Sequence, residues 1–213
     1  VAEGVANYGE DGEEPFVTLT GLSDSTTADD LSLSGNVVTI SASALNEQNI
    51  SITGDYTLAL ANGISAPTET NSWSLSEGTA TYKKTSTAGY ELSTDSKTIN
   101  YTAASDETLI TISGLKTSAT ADDLSLSGNV VTVSANALGT KSISIEGDYT
   151  LALADGISAP TTTTSWSVEG GTAIYTKNRT SGYELSTDSK KIKYSAGTGS
   201  EILFEIIGLK NSA

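Results

Sequence analysis

Paired acidic residues are the first candidates for chemistry in this chain. Asp29 and Asp30 are adjacent, and the pair returns as Asp122 and Asp123, 93 residues further on. Carboxylate oxygens together with backbone carbonyls suit Ca²⁺, which takes about six to eight oxygen ligands. The chain has neither an Asp-x-Asp-x-Asp-Gly loop nor a Gly-Gly-x-Gly-x-Asp nonapeptide. Two interpretations therefore stay open: calcium sites, or turn carboxylates that face water and keep the chain soluble.

Paired carboxylates could also be the acid and the nucleophile of a glycosidase. Every candidate pair, however, occurs twice at the same spacing, whereas an active site is seldom duplicated along near-identical modules. The chain contains no His and no Cys. This excludes Ser-His-Asp and Cys-His catalysis, the usual zinc sites, haem ligation and disulfides. The sequence therefore predicts a protein that is not an enzyme and needs no cofactor, with calcium as the one candidate ion.

The two tryptophans, Trp73 and Trp166, occur in equivalent Ser-Trp-Ser contexts. Aromatic rings on a protein surface can stack on sugars, which makes a carbohydrate-binding module of a secreted adhesin, with host or matrix glycans as ligands, the alternative function. The same residues can also anchor a β core, because large aromatic side chains bury much apolar surface. Both interpretations stay open at this point.

Composition narrows the class of partner. The 213 residues include 11 basic and 26 acidic ones, for a net charge of −15, and 37% are apolar. Nucleic acid is bound through Lys and Arg, so this charge argues against it. No apolar run approaches the 18 or so residues that span a bilayer, so we expect no membrane insertion. No signal peptide is visible and the first residue is Val1, as expected of a mature or excised product.

An internal repeat of 93 residues dominates the sequence. Three segments recur letter for letter at that spacing: TADDLSLSGNVVT (27–39), GDYTLALA (54–61) and GYELSTDSK (89–97). The register extends back to Tyr8, which matches Tyr101, and to FVTLTGL (16–22), which matches LITISGL (109–115). A third, partial copy begins at Tyr194 and contains ILFEIIGL (202–209), with one residue inserted.

Alternation of apolar and polar residues with period two predicts strands throughout, as at Ile50 and Ile52 or at Leu58 and Leu60. Gly-, Asn- and Asp-containing turns separate the strands at short intervals. Seven or eight strands per unit match an immunoglobulin-like sandwich. We therefore expect an all-β fold of two tandem immunoglobulin-like β-sandwich repeats of about 93 residues plus one extra terminal strand. A β-solenoid is the alternative.

Two frames divide the chain into domains. One frame gives units at 8–100 and 101–193. The other gives an N-terminal segment (1–22) with a spare strand, repeats at 23–115 and 116–209, and a tail at 210–213. We adopt the second frame, in which the last repeat ends in the apolar strand 202–209. Either frame leaves one strand without a domain, and such a strand invites pairing with another chain.

The spare C-terminal strand is apolar on both of its alternating faces, which is typical of a strand buried on both sides. It is either the stump of a longer array or a donor that completes the sheet of a neighbour lacking a partner strand near 16–22. On the second interpretation the assembly residues are Phe16, Val17, Leu19, Ile202, Phe204, Ile206 and Ile207.

Charge differs between the repeats. Residues 8–100 carry 3 basic and 13 acidic groups, and residues 101–193 carry 7 and 10. In a head-to-tail polymer an acidic end would meet a basic end and the encounter would be steered. Neutral drift of surface residues explains the asymmetry equally well.

Near-identical, Cys-free, acidic β modules with TADDLSLSGNVVT- and GYELSTDSK-type segments resemble the tandem repeats of large secreted bacterial surface proteins, namely adhesin stalks and extracellular filaments. The resemblance covers residues 8–213. It implies a structural, non-enzymatic role outside the cell or at the cell surface. The partner it implies is the protein itself, in a head-to-tail homopolymer.

Overall fold

The computed structural model describes residues 4–9 and 16–210 of the chain. In this part the regular structure consists of strands and four 3-10 turns, without any α-helix. None of these turns is long or apolar enough to cross a membrane. The prediction of an all-β fold is confirmed.

The strands alternate with short turns along the whole described chain. Those of the first half are β1 (Val5–Tyr8), β2 (Val17–Thr20), β3 (Leu31–Ser34), β4 (Val37–Ile40), β5 (Ile50–Ile52), β6 (Thr57–Leu60), β7 (Glu69–Ser76), β8 (Thr79–Ser86), β9 (Gly89–Leu92) and β10 (Thr98–Thr102). Those of the second half are β11 (Ser105–Ser113), β12 (Leu124–Ser127), β13 (Val130–Val133), β14 (Ile143–Glu146), β15 (Thr150–Leu153), β16 (Thr162–Glu169), β17 (Thr172–Arg179), β18 (Gly182–Leu185), β19 (Lys191–Ser195) and β20 (Gly199–Ile207). The 3-10 turns are Ala28–Asp30, Ala42–Ala44, Ala121–Asp123 and Ala135–Ala137.

The chain folds into two compact units that are discontinuous in sequence. Unit 1 comprises Val1–Asn71 and Lys84–Glu107, and unit 2 comprises Ser72–Lys83 and Thr108–Ala213. The bounds of these two units differ from those of the repeats predicted at 23–115 and 116–209. The difference arises because the inner part of the β7–β8 hairpin contributes Trp73 and Ala80 to the core region of unit 2 before the chain returns to unit 1.

Unit 1 is a sandwich of two sheets. The larger sheet has the order β1-β2-β5-β10-β9 with antiparallel pairing throughout. The smaller has the order β3-β4-β6, in which β4 and β6 are parallel. The core between them contains Ile50 and Ile99 from the larger sheet and Ile40 and Leu58 from the smaller. The antiparallel larger sheet is a sandwich feature and differs from the stacked parallel rungs of a solenoid.

Unit 2 repeats this arrangement with one more strand. Its larger sheet, to which β7 and β8 also belong, has the order β7-β8-β11-β14-β19-β18, and the smaller one is β12-β13-β15. When the two strand orders are aligned, β1 has the position in unit 1 that β8 has in unit 2, and β2 has the position of β11. The position of β7 has no counterpart in unit 1 among the described residues. A third sheet, β16-β17-β20, has no strand paired with a strand of either sandwich.

A glycine follows an equivalent inner strand of each larger sheet. Gly21 follows β2 and Gly114 follows β11, with φ angles of +84° and +88°. A Cβ atom at Gly114 would lie 2.1 Å from the carbonyl oxygen of Ser142, and one at Gly21 would lie 2.0 Å from that of Asn49. Only glycine combines this backbone conformation with so close an approach of the neighbouring chain.

This crowding predicts a difference between two glycine substitutions. Gly128 also has a positive φ, +56°, but a Cβ there meets nothing within 4 Å. We expect Gly128→Ala to lower the free energy of unfolding by about 1 kcal/mol, the ordinary cost of the left-handed conformation. Gly114→Ala should cost at least twice as much, because the added carbon also overlaps a backbone carbonyl. Guanidinium denaturation followed by circular dichroism measures both, and equal losses would contradict the role of crowding.

Candidate assembly surface

The third sheet is a structural copy of the first three strands of the unit 2 sheet. The order β16-β17-β20 repeats β7-β8-β11. Trp166 lies opposite Tyr175, with ring centroids 4.9 Å apart. The equivalent pair, Trp73 and Tyr82, has the same separation of 4.9 Å. The shared sequence of the repeats therefore builds the same three-stranded unit twice.

The two copies differ in what covers them. In β11 the side chains of Ile110 and Ile112 are 1% and 0% exposed, inside the unit 2 core. Their counterparts in β20 are Phe204 and Ile206, which are 47% and 43% exposed. Phe204 and Ile206 follow Ile110 and Ile112 by 94 residues instead of 93. The extra residue forms a β-bulge in the pairing of β17 with β20 beside Tyr175. The residue types of a core face are thus presented to solvent.

The exposed apolar surface extends across all three strands. Trp166 is 50% exposed, whereas Trp73 is partly buried against the unit 2 core. Phe204 lies 5.0 Å from the ring of Trp166 and 5.1 Å from that of Tyr175, which makes a continuous aromatic cluster. Most of the exposed large apolar residues of the described chain belong to this sheet or to the segment after it: Trp166, Val168, Ile202, Leu203, Phe204, Ile206, Ile207 and Leu209. Ile202 and Ile207, opposite Thr176 and Thr172, lie on one face, whereas Trp166, Val168, Phe204 and Ile206 form a contiguous patch on the face of Tyr175. Contiguous patches of this kind mark interaction sites.

The sheet also has an open hydrogen-bonding edge. β20 pairs with β17 on one side, and no strand among residues 4–9 and 16–210 pairs with the other. The equivalent edge of β11 is taken by β14, with Ile112 opposite Ile145. Unpaired edges present backbone N–H and C=O groups to another chain.

The predicted spare strand near 16–22 lies elsewhere. Val17 and Leu19 are buried in β2, and Phe16 is exposed just before it. β2 pairs with β1 on one side and with β5 on the other, so both of its edges are occupied. Residues 202–209, in contrast, belong to the exposed sheet.

β1 takes the position of the second hairpin strand in unit 1. The N–H of Leu22 donates to the carbonyl of Gly4 at 3.0 Å, as Leu115 does to Gly78 at 2.9 Å. The segments EGVANY (3–8), EGTATY (77–82) and GGTAIY (170–175) share this pattern. Tyr8 is therefore the counterpart of Tyr82, whereas the 93-residue register matched it to Tyr101, which lies in β10.

A groove of about 400 Å³ lies beside β1 in unit 1. Its lining includes Tyr8, Val17, Leu31, Leu33 and Val38. The counterparts of these residues in unit 2 are Tyr82, Ile110, Leu124, Leu126 and Val131, and they belong to the core region against which Trp73 and Leu75 of β7 pack. The groove thus corresponds to the space beside a β7 strand.

The acidic pairs have a local structural role. The carboxylate of Asp30 accepts hydrogen bonds from the N–H of Thr27 at 2.8 Å, from Ser41 at 3.1 Å and from Ser43. Asp123 accepts them from the N–H of Thr120 at 2.9 Å and from Ser134 at 2.8 Å. Asp29 and Asp122 are exposed to solvent.

These contacts explain how the carboxylates titrate. The Ser43 hydroxyl and the Thr27 N–H lower the pKa of Asp30 to about 2. The Thr120 N–H and the Ser134 hydroxyl hold the pKa of Asp123 below its ordinary value. In the part of the chain that the structure describes, no three acidic side chains come together in a group that could hold a metal ion.

Three of the five basic residues between 177 and 193 lie in two settings. Lys177 and Arg179 are in β17, and Lys177 faces Glu201 across the pairing with β20. Lys190 donates to the carbonyls of Gly147 at 2.7 Å and Tyr149 at 2.5 Å, so its charge is engaged within unit 2.

Neither a protein-family model, nor a curated protein, nor a solved structure matches this chain.

Sequence reasoning identified β20 and the segment 202–209 but missed the β16–β17 hairpin, with Val168 and Tyr175, as part of the same surface. The signal for it is the EGVANY-type segment, which begins at residues 3, 77 and 170, so that the second and third copies are 93 residues apart and the first and second are 74 apart.

The hydrogen bonds of Asp30 predict a pH dependence of stability. Because its pKa falls from 3.8 to about 2 on folding, ionised Asp30 stabilises the fold above about pH 4, and this contribution is lost as the pH falls towards 2. Asp30→Asn should therefore be less stable than the wild type at pH 7 and should lose less stability between pH 4 and pH 2. Guanidinium denaturation at a series of pH values measures this. Asp29→Asn, at the exposed neighbour, is the control and should follow the wild-type curve; parallel curves for Asp30→Asn and the wild type would contradict the assignment.

Proposed function

We propose that this chain is a non-enzymatic structural protein of the bacterial cell surface, in which β-sandwich units associate head to tail into an extended extracellular fibre or stalk. The observation that carries the proposal is the exposed sheet β16-β17-β20. It presents the residue types that form the core of unit 2 when the equivalent sheet is covered. The occupant that matches such a face is another β-sandwich layer of the same kind.

The size of the apolar surface supports association between copies. Burying a fully exposed large apolar side chain contributes roughly 1.5–3 kcal/mol. Four large apolar side chains, those of Trp166, Val168, Phe204 and Ile206, share one face of the sheet and are between 43% and 68% exposed. Covering them is therefore worth several kcal/mol, which is comparable with the roughly 4–15 kcal/mol that association costs in lost freedom.

Composition supports a location outside the cell. The chain contains no Cys and no Met, so the main oxidation targets are absent. Its net charge of −15 and its 63 Ser and Thr residues favour solubility of a crowded fibre. The resemblance to tandem repeats of bacterial surface proteins points the same way.

Glycan binding is the competing function, and the exposed aromatic cluster is the observation that favours it. Trp166, Tyr175 and Phe204 could stack on a sugar. The counterpart pair in unit 2, Trp73 and Tyr82, instead packs against the protein core. Because the equivalent aromatic pair of unit 2 packs against a protein core, we propose assembly, and not glycan binding, as the function of the exposed sheet.

Removing the apolar side chains of β20 tests assembly. We expect the wild-type chain to form head-to-tail oligomers. Replacing both exposed residues, Phe204→Ser and Ile206→Ser, should weaken association at least about tenfold, because roughly 1 kcal/mol of burial is lost at each position. Analytical ultracentrifugation gives the association constant, and negative-stain electron microscopy shows whether the oligomers are fibres.

Val130→Ser is the matched control, since Val130 is 40% exposed on another strand of unit 2. It should associate as the wild type does. A wild-type chain that stays monomeric at every concentration would overturn the assembly proposal. Glycan-array binding by that monomer, lost in a folded Trp166→Ala variant, would then establish the competing function.

A further inference from the structure

We propose that the β1–β2 hairpin is a replaceable stand-in, and that the sheet β16-β17-β20 of a second copy takes its place in unit 1. This inference rests on the proposed head-to-tail assembly and names its acceptor. The acceptor is the smaller sheet of unit 1 together with the edge of β5 and the groove beside β1. The partner is a second copy of this chain.

The donor, which is the sheet β16-β17-β20, and the β1–β2 hairpin that it would replace contain strands at equivalent positions of the repeat. The N–H groups of Leu22, Leu115 and Leu209 each donate to the carbonyl of the glycine just before the neighbouring strand, at 3.0, 2.9 and 2.9 Å. These bonds align β1 and β2 with β8 and β11, and also with β17 and β20. The unit 1 sheet can therefore receive β17 and β20 at the places now held by β1 and β2.

The stand-in fills its place incompletely. β1 and β2 pair over four residues, from Val5 opposite Thr20 to Tyr8 opposite Val17. The strands of the donor pair over eight positions each, β16 with β17 and β17 with β20. Outside β1 the groove of about 400 Å³ remains, where unit 2 has its β7 strand.

The donor carries the side chains that the acceptor lacks. Phe204, Ile206 and Leu209 would replace Val17, Leu19 and Leu22 in the unit 1 core. Trp166 and Val168 would enter the groove in the positions that Trp73 and Leu75 hold in unit 2. The open edge of β20 would pair with β5, as β11 pairs with β14.

Replacement is required, because simple addition of β16 to the edge of β1 does not reproduce the unit 2 arrangement. In unit 2 the strand at the β7 position has β8 as its inner neighbour. The inner neighbour of β16 is already β17, through eight residue pairs. β16 can therefore occupy the β7 position only if β17 occupies that of β1.

A disulfide that fastens β2 to β5 tests the exchange. Thr20 lies opposite Ser51, with their hydroxyl oxygens 2.7 Å apart, and the chain contains no other cysteine. The double variant Thr20→Cys and Ser51→Cys should stay monomeric when oxidised and should form fibres after reduction with dithiothreitol. Light scattering follows assembly, and mass spectrometry verifies the disulfide.

Unit 2 offers the matched control. Ser113 and Ser144 hold the equivalent positions, with their hydroxyl oxygens 2.9 Å apart. The variant Ser113→Cys and Ser144→Cys should assemble equally well oxidised or reduced, because its disulfide leaves the unit 1 hairpin free. Assembly of the oxidised Thr20→Cys, Ser51→Cys chain at the wild-type rate would overturn the exchange while leaving head-to-tail association intact. Absence of assembly by the wild type would overturn both.

Hydrogen exchange on the wild-type fibre gives an independent test without any substitution. Exchange of strands predicts that the backbone amides of β1 and β2 lose protection in the fibre at least tenfold relative to the monomer, while those of β10 keep it. Docking onto an intact hairpin predicts unchanged or greater protection at β1 and β2, and that result would overturn the proposal.

Discussion

The need to bury one apolar sheet face determines how this chain is organised. The face belongs to a hairpin and the strand that returns beside it, β7-β8-β11, and it is covered by β12, β13 and β15 through Leu124, Val131 and Leu151. To form it, the chain passes between the two units three times, because β9 and β10 pair within the unit 1 sheet. The units are discontinuous in sequence for this reason, although the repeat itself is contiguous.

The same requirement leaves one molecule with an apolar sheet that lacks a covering layer and with a covering layer whose own sheet is incompletely filled. The sheet β16-β17-β20 has the apolar face but no covering layer among the described residues. Unit 1 has the covering layer, β3-β4-β6, but its larger sheet has only the short strands β1 and β2 where unit 2 has β7, β8 and β11. The uncovered sheet and the incompletely filled sheet of unit 1 are complementary, and they belong to different parts of the chain. An interface between them is heterologous, which leaves a further donor and a further acceptor after each contact and so propagates a polymer or closes a ring.

Much of the fold could be predicted from the sequence, because period-two alternation marks the core directly: Ile50, Ile52 and Leu58 are buried as the pattern indicates. The unit boundaries could not, since the 93-residue spacing is the same in any frame and strand pairing alone decides which frame folds. Tyr8 was matched to Tyr101 because the dominant repeat obscured a six-residue similarity at another spacing. The role of Asp30 depends on hydroxyls at Ser41 and Ser43, whose approach to the carboxylate no local pattern encodes.

A surface of this kind must be kept from promiscuous association, and the chain contains two features that would do so. Its net charge of −15 makes copies repel one another, and Lys177 paired opposite Glu201 places charge within the exposed sheet. The β1–β2 hairpin buries Val17, Leu19 and Leu22 in the acceptor, so on our proposal a newly folded chain has an open donor and a closed acceptor. Association then requires the hairpin to leave, which makes assembly slow. Only a sheet with the same pattern of core residues can replace the hairpin and compensate for its loss, so the barrier that slows assembly also selects the partner.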